Sequence, residues 1–113
     1  MYKVSFYRTK SGNTPIDDFI LKSEKSVQSK ISRQVKYLKE FGLTQSNPGL
    51  KKVASTNLWE ARILGRNNIR IICVTIINER IVVLHIFKKK SQKTPRRELK
   101  LALTRYKDLT DDI

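Results

Sequence analysis

Residues 58–87 read LWEARILGRNNIRIICVTIINERIVVLHIF, and this stretch decides the fold. Residues 58–64 alternate between apolar and polar side chains, which is typical of a strand with one exposed face. Residues 69–77 are almost wholly apolar and β-branched, and they predict a central strand covered on both faces. Residues 81–87 predict a third strand. Because short turn segments separate the three strands, the stretch is expected to fold as an antiparallel meander.

Three segments outside the meander carry the 3.6-residue period of amphipathic helices. The Thr-Pro pairs at 14–15 and 94–95 open the first and the last, with threonine as the N-cap and proline at the first helical position. The second runs from about 26 to 41 and ends at Gly42. The apolar stripes expected to be buried are Ile16, Phe19 and Ile20; Val27, Ile31, Val35, Leu38 and Phe41; and Leu99, Ala102, Leu103 and Tyr106.

The remaining segments complete the order of elements. Residues 1–7 alternate and predict a first strand, whereas residues 43–57 show no sustained period. The predicted order is therefore β-α-α-β-β-β-α in a single domain over residues 1–113. We expect an α+β fold in which helices pack against an antiparallel sheet.

Charge is the strongest functional signal in the composition. The 113 residues include 24 Lys and Arg against 10 Asp and Glu, a net charge of +14 at pH 7. A protein this basic usually has an anionic partner, and nucleic acid is the first candidate. The alternative is a basic surface kept for solubility alone.

The same composition excludes several other classes of protein. No stretch approaches the ~20 apolar residues that a membrane-spanning helix needs. The start of the chain lacks the apolar block of a secretory signal, so we expect a cytoplasmic protein. Cys73 is the only cysteine and lies in an apolar strand, which favours a buried, inert thiol. We expect no metal and no cofactor, and the single His, Met and Trp residues argue against a zinc site in particular.

The hairpin of the meander carries three arginines. Arg70 interrupts an apolar strand, and a buried charge needs a partner, so it is either paired with Glu60 or directed at a phosphate. Arg62 lies on the polar face of the preceding strand. Arg66 lies in the turn and is either an ordinary solvated residue or a third phosphate ligand. Together these arginines are expected to line one concave face.

A basic segment follows the last strand and is expected to lie beside the hairpin. Arginines in the first turn of a helix oppose its dipole, which an anion at the helix N-terminus would offset. His85 precedes this segment on an apolar strand and is either a satisfied structural residue or a proton-transfer group. The cationic candidates for RNA contact here are Lys88, Lys89, Lys90, Lys93, Arg96 and Arg97.

These residue types favour one kind of chemistry. The sequence has no clear carboxylate pair and no metal-binding cluster, which disfavours hydrolysis by two acids or by a metal. Metal-free RNA cleavage is compatible with it, because the substrate's own 2′-OH is then the nucleophile. Such an enzyme needs cations to neutralise the phosphorane and groups that move protons. Arg62, Arg70, Lys88 and His85 are the candidates for these roles.

Four motifs of the chain occur together in a known family. They are Trp59-Glu60-x-Arg62, the strand around Arg70, His85-x-Phe87-Lys88-Lys89 and Gln92-Lys93-Thr94-Pro95. With them the chain resembles the phage-related HigB toxins of the RelE/ParE toxin superfamily over roughly residues 2–107. The resemblance implies a RelE-like fold, cleavage of mRNA on translating ribosomes and a helix-turn-helix antitoxin of HigA type as partner.

The resemblance also implies roles for particular residues. Arg70 matches the strand arginine that contacts the scissile phosphate, and Arg62 lies near a basic residue of the preceding strand. Lys88 to Lys90 lie where the family has a basic cluster. The chain has no clear match to the C-terminal tyrosine that some relatives use for proton transfer, so His85 and a lysine are the candidates for the general base.

Two other functions fit the same pattern. A basic toxin of the ParE type would act on DNA gyrase without cutting RNA, and a plain RNA-binding module would have no toxicity. We expect the antitoxin to cover the cationic face or its rim with an acidic segment, whereas docking on the first two helices would leave that face open.

Overall fold

The computed structural model describes residues 1–47, 49–63, 65, 68–90 and 94–111. Within these ranges the strands form one sheet in the order β1-β5-β4-β3-β2. The α+β class is therefore confirmed. The elements in chain order are β1 (Lys3–Phe6), α1 (Pro15–Lys22), α2 (Lys25–Phe41), β2 (Leu50–Lys52), β3 (Trp59–Ile63), β4 (Ile69–Ile76), β5 (Arg80–Lys88) and α3 (Arg96–Asp111).

The meander of β3, β4 and β5 forms as predicted. β4 is the middle strand of the five, and its first six residues are all buried. Both of its neighbours run antiparallel to it, with Arg62 opposite Arg70 and Arg70 opposite Phe87. An irregularity between Ile72 and Cys73 shifts the β4–β5 register by one residue.

The outer strands differ from the sequence prediction. β1 pairs parallel to β5, with Lys3 opposite Arg80, so the sheet is mixed and not wholly antiparallel. β2 pairs antiparallel to β3 and lies in the segment for which no element was predicted. β2 was missed because three residues are too few to show a period of two. The parallel pairing of β1 was missed because it depends on a crossover connection, here made by α1 and α2, which the local sequence pattern does not reveal.

The two faces of the sheet carry different helices. Ile69 and Lys88 face α1, with which they line a shallow pocket beside Phe19. His85 faces α3, where it contacts Glu98. Because side chains alternate along a strand, α1 and α2 cover one face and α3 covers the other. The core therefore has two layers, one on each side of β4 and β5.

The predicted start of the last helix was wrong by one residue: α3 begins at Arg96, and the Pro95 carbonyl accepts its first hydrogen bonds. The Thr94 hydroxyl, predicted to cap this helix, donates to Glu60.

The other boundaries lie close to the sequence signals. Pro15 begins α1, yet Thr14 makes no side-chain capping hydrogen bond. Gly42 ends α2 with a positive φ of 74°, and a β-carbon there would lie 2.5 Å from the Tyr2 ring. In α3, Ala102 is fully buried, but Leu103 was wrongly placed in the buried stripe because it is 38 % exposed. Phe41, at the end of α2, was wrongly placed as well and is 51 % exposed.

Candidate active site

Two rows of side chains project from the face of the sheet on which α3 packs. The rows are cross-strand neighbours in β3, β4 and β5, so their members share one face. We call this surface the arginine face, after the pair in its first row. The first row is Arg62, Arg70 and Phe87, and the second is Glu60, Ile72 and His85.

Arg70 lies at the centre of the first row and is only 7 % exposed. Its Nη1 donates to Asn68 Oδ1 at 2.7 Å and to the Ile69 carbonyl at 3.3 Å. Asn68 in turn donates from Nδ2 to the Lys89 carbonyl at 2.9 Å, and its positive φ of 49° suits an asparagine. The guanidinium is thus held in place by the first residues of β4 and the end of β5.

The electrostatic environment of Arg70 is unfavourable. Burial lowers the pKa of Arg70; the Glu60 carboxylate raises it, and the Arg62 guanidinium lowers it again. The group stays charged because an arginine titrates so far above neutral pH. Like charges directly opposite on neighbouring strands destabilise a sheet by roughly 0.2–1 kcal/mol. An anion between Arg62 and Arg70 would relieve that repulsion.

Of the two alternatives for Arg70, the salt bridge with Glu60 is not the one that forms. Glu60 lies one row away, opposite Ile72, and its Oε1 accepts a hydrogen bond from Thr94 Oγ1 at 2.5 Å. Glu60 therefore acts on Arg70 through its charge and links β3 to the segment before α3.

The lysine cluster after β5 is divided between the two faces. Lys88 is opposite Ile69 and faces α1, so the structure does not bring it to the arginine pair as the sequence prediction had it. Lys89 donates its backbone N–H to the Asn68 carbonyl at 2.9 Å, which continues the ladder one residue further. Alternation then places Lys89 on the arginine face. Lys90 is exposed beyond the strand.

His85 is bound at both ring nitrogens. Arg105 Nη1 lies 3.3 Å from Nδ1, and Glu98 Oε1 lies 3.2 Å from Nε2. Because a guanidinium only donates, Nδ1 accepts and the proton of the neutral ring is on Nε2, directed at Glu98. The ring also stacks on Phe87 with centroids 5.2 Å apart. Burial lowers the pKa of His85, and the hydrogen bond and charge of Glu98 partly offset it.

Arg105 extends this network to Tyr7, the residue directly after β1. Its Nη1 also donates to the Leu84 carbonyl at 2.8 Å, and its guanidinium carbon lies 5.3 Å from the centre of the Tyr7 ring. Tyr7 donates its hydroxyl hydrogen to Asp108 Oδ2 at 3.1 Å. Burial lowers the pKa of Arg105. The network fixes α3 on the sheet beside the arginine face.

Sequence reasoning did not single out most of these supporting residues. Glu98 offered a signal, as the one acid among the basic residues around the start of α3. Arg105 and Asn68 offered none, since each looks like an ordinary surface or turn residue until the register is known. Arg96 and Arg97 are exposed in the first turn of α3. Of the remaining predicted RNA contacts, Arg66 and Lys93 lie outside the described residues.

Comparison with known proteins identifies the family to which the chain belongs. The chain combines a small α+β fold with a basic, arginine-paired face, as expected of a RelE/HigB-like toxin. Residues 18–107 match the family described as Phage derived protein Gp49-like (DUF891). The match covers most of the chain, which therefore belongs to this family of RelE/HigB-like toxins. No curated protein matches the chain. In the described part of the chain, no helix has the length and apolar character needed to cross a membrane.

Proposed function

We propose that this protein is a HigB-like toxin of a type II toxin–antitoxin system that cleaves mRNA on the translating ribosome. The observation that carries the proposal is the cross-strand pair of Arg62 and Arg70. Two like charges on opposite residues of neighbouring strands disfavour the free protein slightly, and they become favourable once a phosphate lies between them. Membership of a RelE/HigB-like toxin family supports the same activity.

The proposed reaction uses the RNA as its own nucleophile. The 2′-oxygen attacks the adjacent phosphorus and gives its proton to a solvent water, while the bond from phosphorus to the 5′-oxygen of the next nucleotide breaks and that oxygen takes up a proton. The products are a 2′,3′-cyclic phosphate and a 5′-hydroxyl. Arg70 and Arg62 neutralise the charge that builds up on the non-bridging oxygens, an effect typically worth ~10²–10³ in rate.

Proton transfer is assigned to the lysine that shares the arginine face. The Lys89 ammonium is the donor to the leaving 5′-oxygen in this proposal. His85 was the other candidate, but both of its ring nitrogens already have partners in α3. We therefore treat His85 as a positioning residue that orients Phe87 and α3. Lys88 faces α1 and has no part in the proposed chemistry.

Docking on the ribosome is supported by the overall charge. A net charge of +14 favours binding to RNA, with an affinity that falls steeply as salt increases. Lys90, just past β5, and Arg96 and Arg97, in the first turn of α3, are exposed and suit contacts to RNA phosphates. The site of action would be the cytoplasm, where the ribosomes are.

A toxin of this charge needs an antitoxin, for which we propose a helix-turn-helix protein of HigA type. An acidic segment over the arginine face would block the RNA directly. Hydrogen exchange on the free and bound toxin tests this placement. Protection of amides in β3 and β4 supports it, whereas protection confined to α1 and α2 would mean that the antitoxin excludes the toxin from the ribosome by its bulk.

Growth arrest and RNA cleavage together test the proposed function. Arg70→Ala is expected to abolish both while the protein remains folded. Arg80→Ala is the matched control, because Arg80 is an exposed arginine of the same sheet at the opposite end of β5. Cuts inside translated frames that depend on Arg70 support the proposal. A DNA-damage response with intact mRNA would instead identify a gyrase poison.

A further inference from the structure

A small cavity lies beside the arginine pair, between the edge of the sheet and the start of α3. Its volume is about 210 Å³, several times the ~30 Å³ that one water occupies. Four apolar residues line it, Val53, Ala54, Ile72 and Leu99, together with four polar ones, Lys51, Lys52, Glu60 and Thr94. None of the catalytic roles proposed above uses this cavity.

We infer that this cavity binds the base of the nucleotide at the scissile phosphate and prefers a base with an exocyclic amino group. The inference rests on the proposed function, because it places RNA on the arginine face. The shape and lining suit a flat ring, which needs apolar contact on its faces and polar partners at its edge.

The position of the cavity relative to the arginines supports this occupant. Ile72 forms part of its wall and lies two residues from Arg70 on the same strand and the same face. Two residues of a strand span about 7 Å. One ribose bridges a similar gap between a phosphate and its own base. A phosphate held by Arg62 and Arg70 thus brings a base to the mouth of the cavity.

The polar groups of the cavity select among bases. Glu60 Oε1 accepts from Thr94, which holds the carboxylate in place, and a carboxylate accepts hydrogen bonds on both oxygens. Lys51 also lines the cavity and is the cross-strand neighbour of Glu60, so a donor stands beside the acceptor. Cytosine offers the complementary pattern, an amino group next to a ring nitrogen and a carbonyl. Uracil has a carbonyl where the amino group would be and meets the carboxylate unfavourably.

The matched pair of CMP and UMP tests the inference on the isolated protein. Titrations followed by methyl NMR report on Ala54, Ile72 and Leu99 directly, without ribosomes or cleavage. CMP is expected to shift these signals and to bind about tenfold more tightly than UMP, as a hydrogen bond to a charged group implies. Glu60→Gln is expected to bring the two affinities within about twofold, since an amide both donates and accepts. Glu40→Gln, an exposed acid of α2, keeps the preference.

The outcomes separate this inference from the proposed function. If Glu60→Gln does not give a folded spectrum, Ala54→Leu replaces it and is expected to weaken both nucleotides by filling the cavity. Equal binding of CMP and UMP, or shifts only around Asn68 and Arg70, would overturn the inference even if Arg70-dependent cleavage is established. If CMP binds in the cavity but the protein cuts no RNA, the inference that the cavity binds a base is supported and the proposed function is contradicted.

Discussion

The substitution Arg62→Gln tests whether Arg62 serves the proposed activity or the stability of the fold. In the free protein, Arg62 faces a buried guanidinium of the same charge on the neighbouring strand. Glutamine keeps much of the length and polarity of the side chain and removes the repulsion. The substitution is therefore expected to stabilise the fold and to weaken the proposed activity, the trade-off typical of functional sites.

The expected stabilisation is small but measurable. Like charges opposite each other on neighbouring strands cost roughly 0.2–1 kcal/mol, and the lower half of that range applies because Arg62 is exposed and solvent screens it. In a domain of this size, that gain raises Tm by about 1–3 °C. The loss of one cation that stabilises the transition state lowers the cleavage rate by ~10²–10³.

Differential scanning calorimetry at low salt and a cleavage assay in a translation extract measure the two quantities on the same preparations. Arg80→Gln is the control, because it removes one positive charge of the same sheet far from the pair. A variant Arg62→Gln that melts lower than the parent and cleaves normally would refute the reasoning, since Arg62 would then be a structural residue.

The positions of Lys89, His85 and Cys73 in the structure lead to three further predictions. Lys89→Gln is expected to lower the cleavage rate about a hundredfold, as loss of a general acid does. Lys88→Gln, on the other face of the sheet, is expected to leave the rate unchanged. Equal losses of rate would contradict the assignment of the two lysines to opposite faces. Burial lowers the pKa of His85, so the unfolded chain takes up a proton first and the unfolding free energy falls as pH drops below ~6.5. Melting curves between pH 8 and 5.5 should show that Tm depends less on pH in His85→Gln than in the wild type. An equal pH dependence of Tm in the two proteins would exclude His85 as its source. Burial raises the pKa of Cys73 to about 12, and the native protein is expected to resist maleimide at pH 8 while the denatured protein reacts at once.

The sequence predicted the middle of the sheet and one face of the site because both depend on local alternation. Residues 58–87 carry the periods of β3, β4 and β5, and the alternation in β3 was enough to place Arg62 on the polar face. The edge strand β2 was not predicted because it has only three residues. The parallel pairing of β1 was not predicted because it depends on the path that α1 and α2 give the chain.

The candidate site shows the same limit. The sequence singled out Arg62 and Arg70 but not their direct opposition, which requires the register of the hairpin. It placed Lys88 beside the arginines, although the register of β4 and β5 puts Lys88 on the face that α1 covers. It left His85 open between a structural and a catalytic role, and its partners Glu98 and Arg105 come from α3, whose position on the sheet no local pattern specifies.

The chemical nature of the RNA ends produced in a purified translation system tests the central claim most directly. The wild-type protein, added to ribosomes translating a defined mRNA, is expected to leave new 5′-hydroxyl ends within the open reading frame, each paired with a 2′,3′-cyclic phosphate. Folded Arg70→Ala protein is expected to leave none, and Arg80→Ala to match the wild type. An mRNA that stays intact while translation stops, or cuts that persist in Arg70→Ala, would contradict the account.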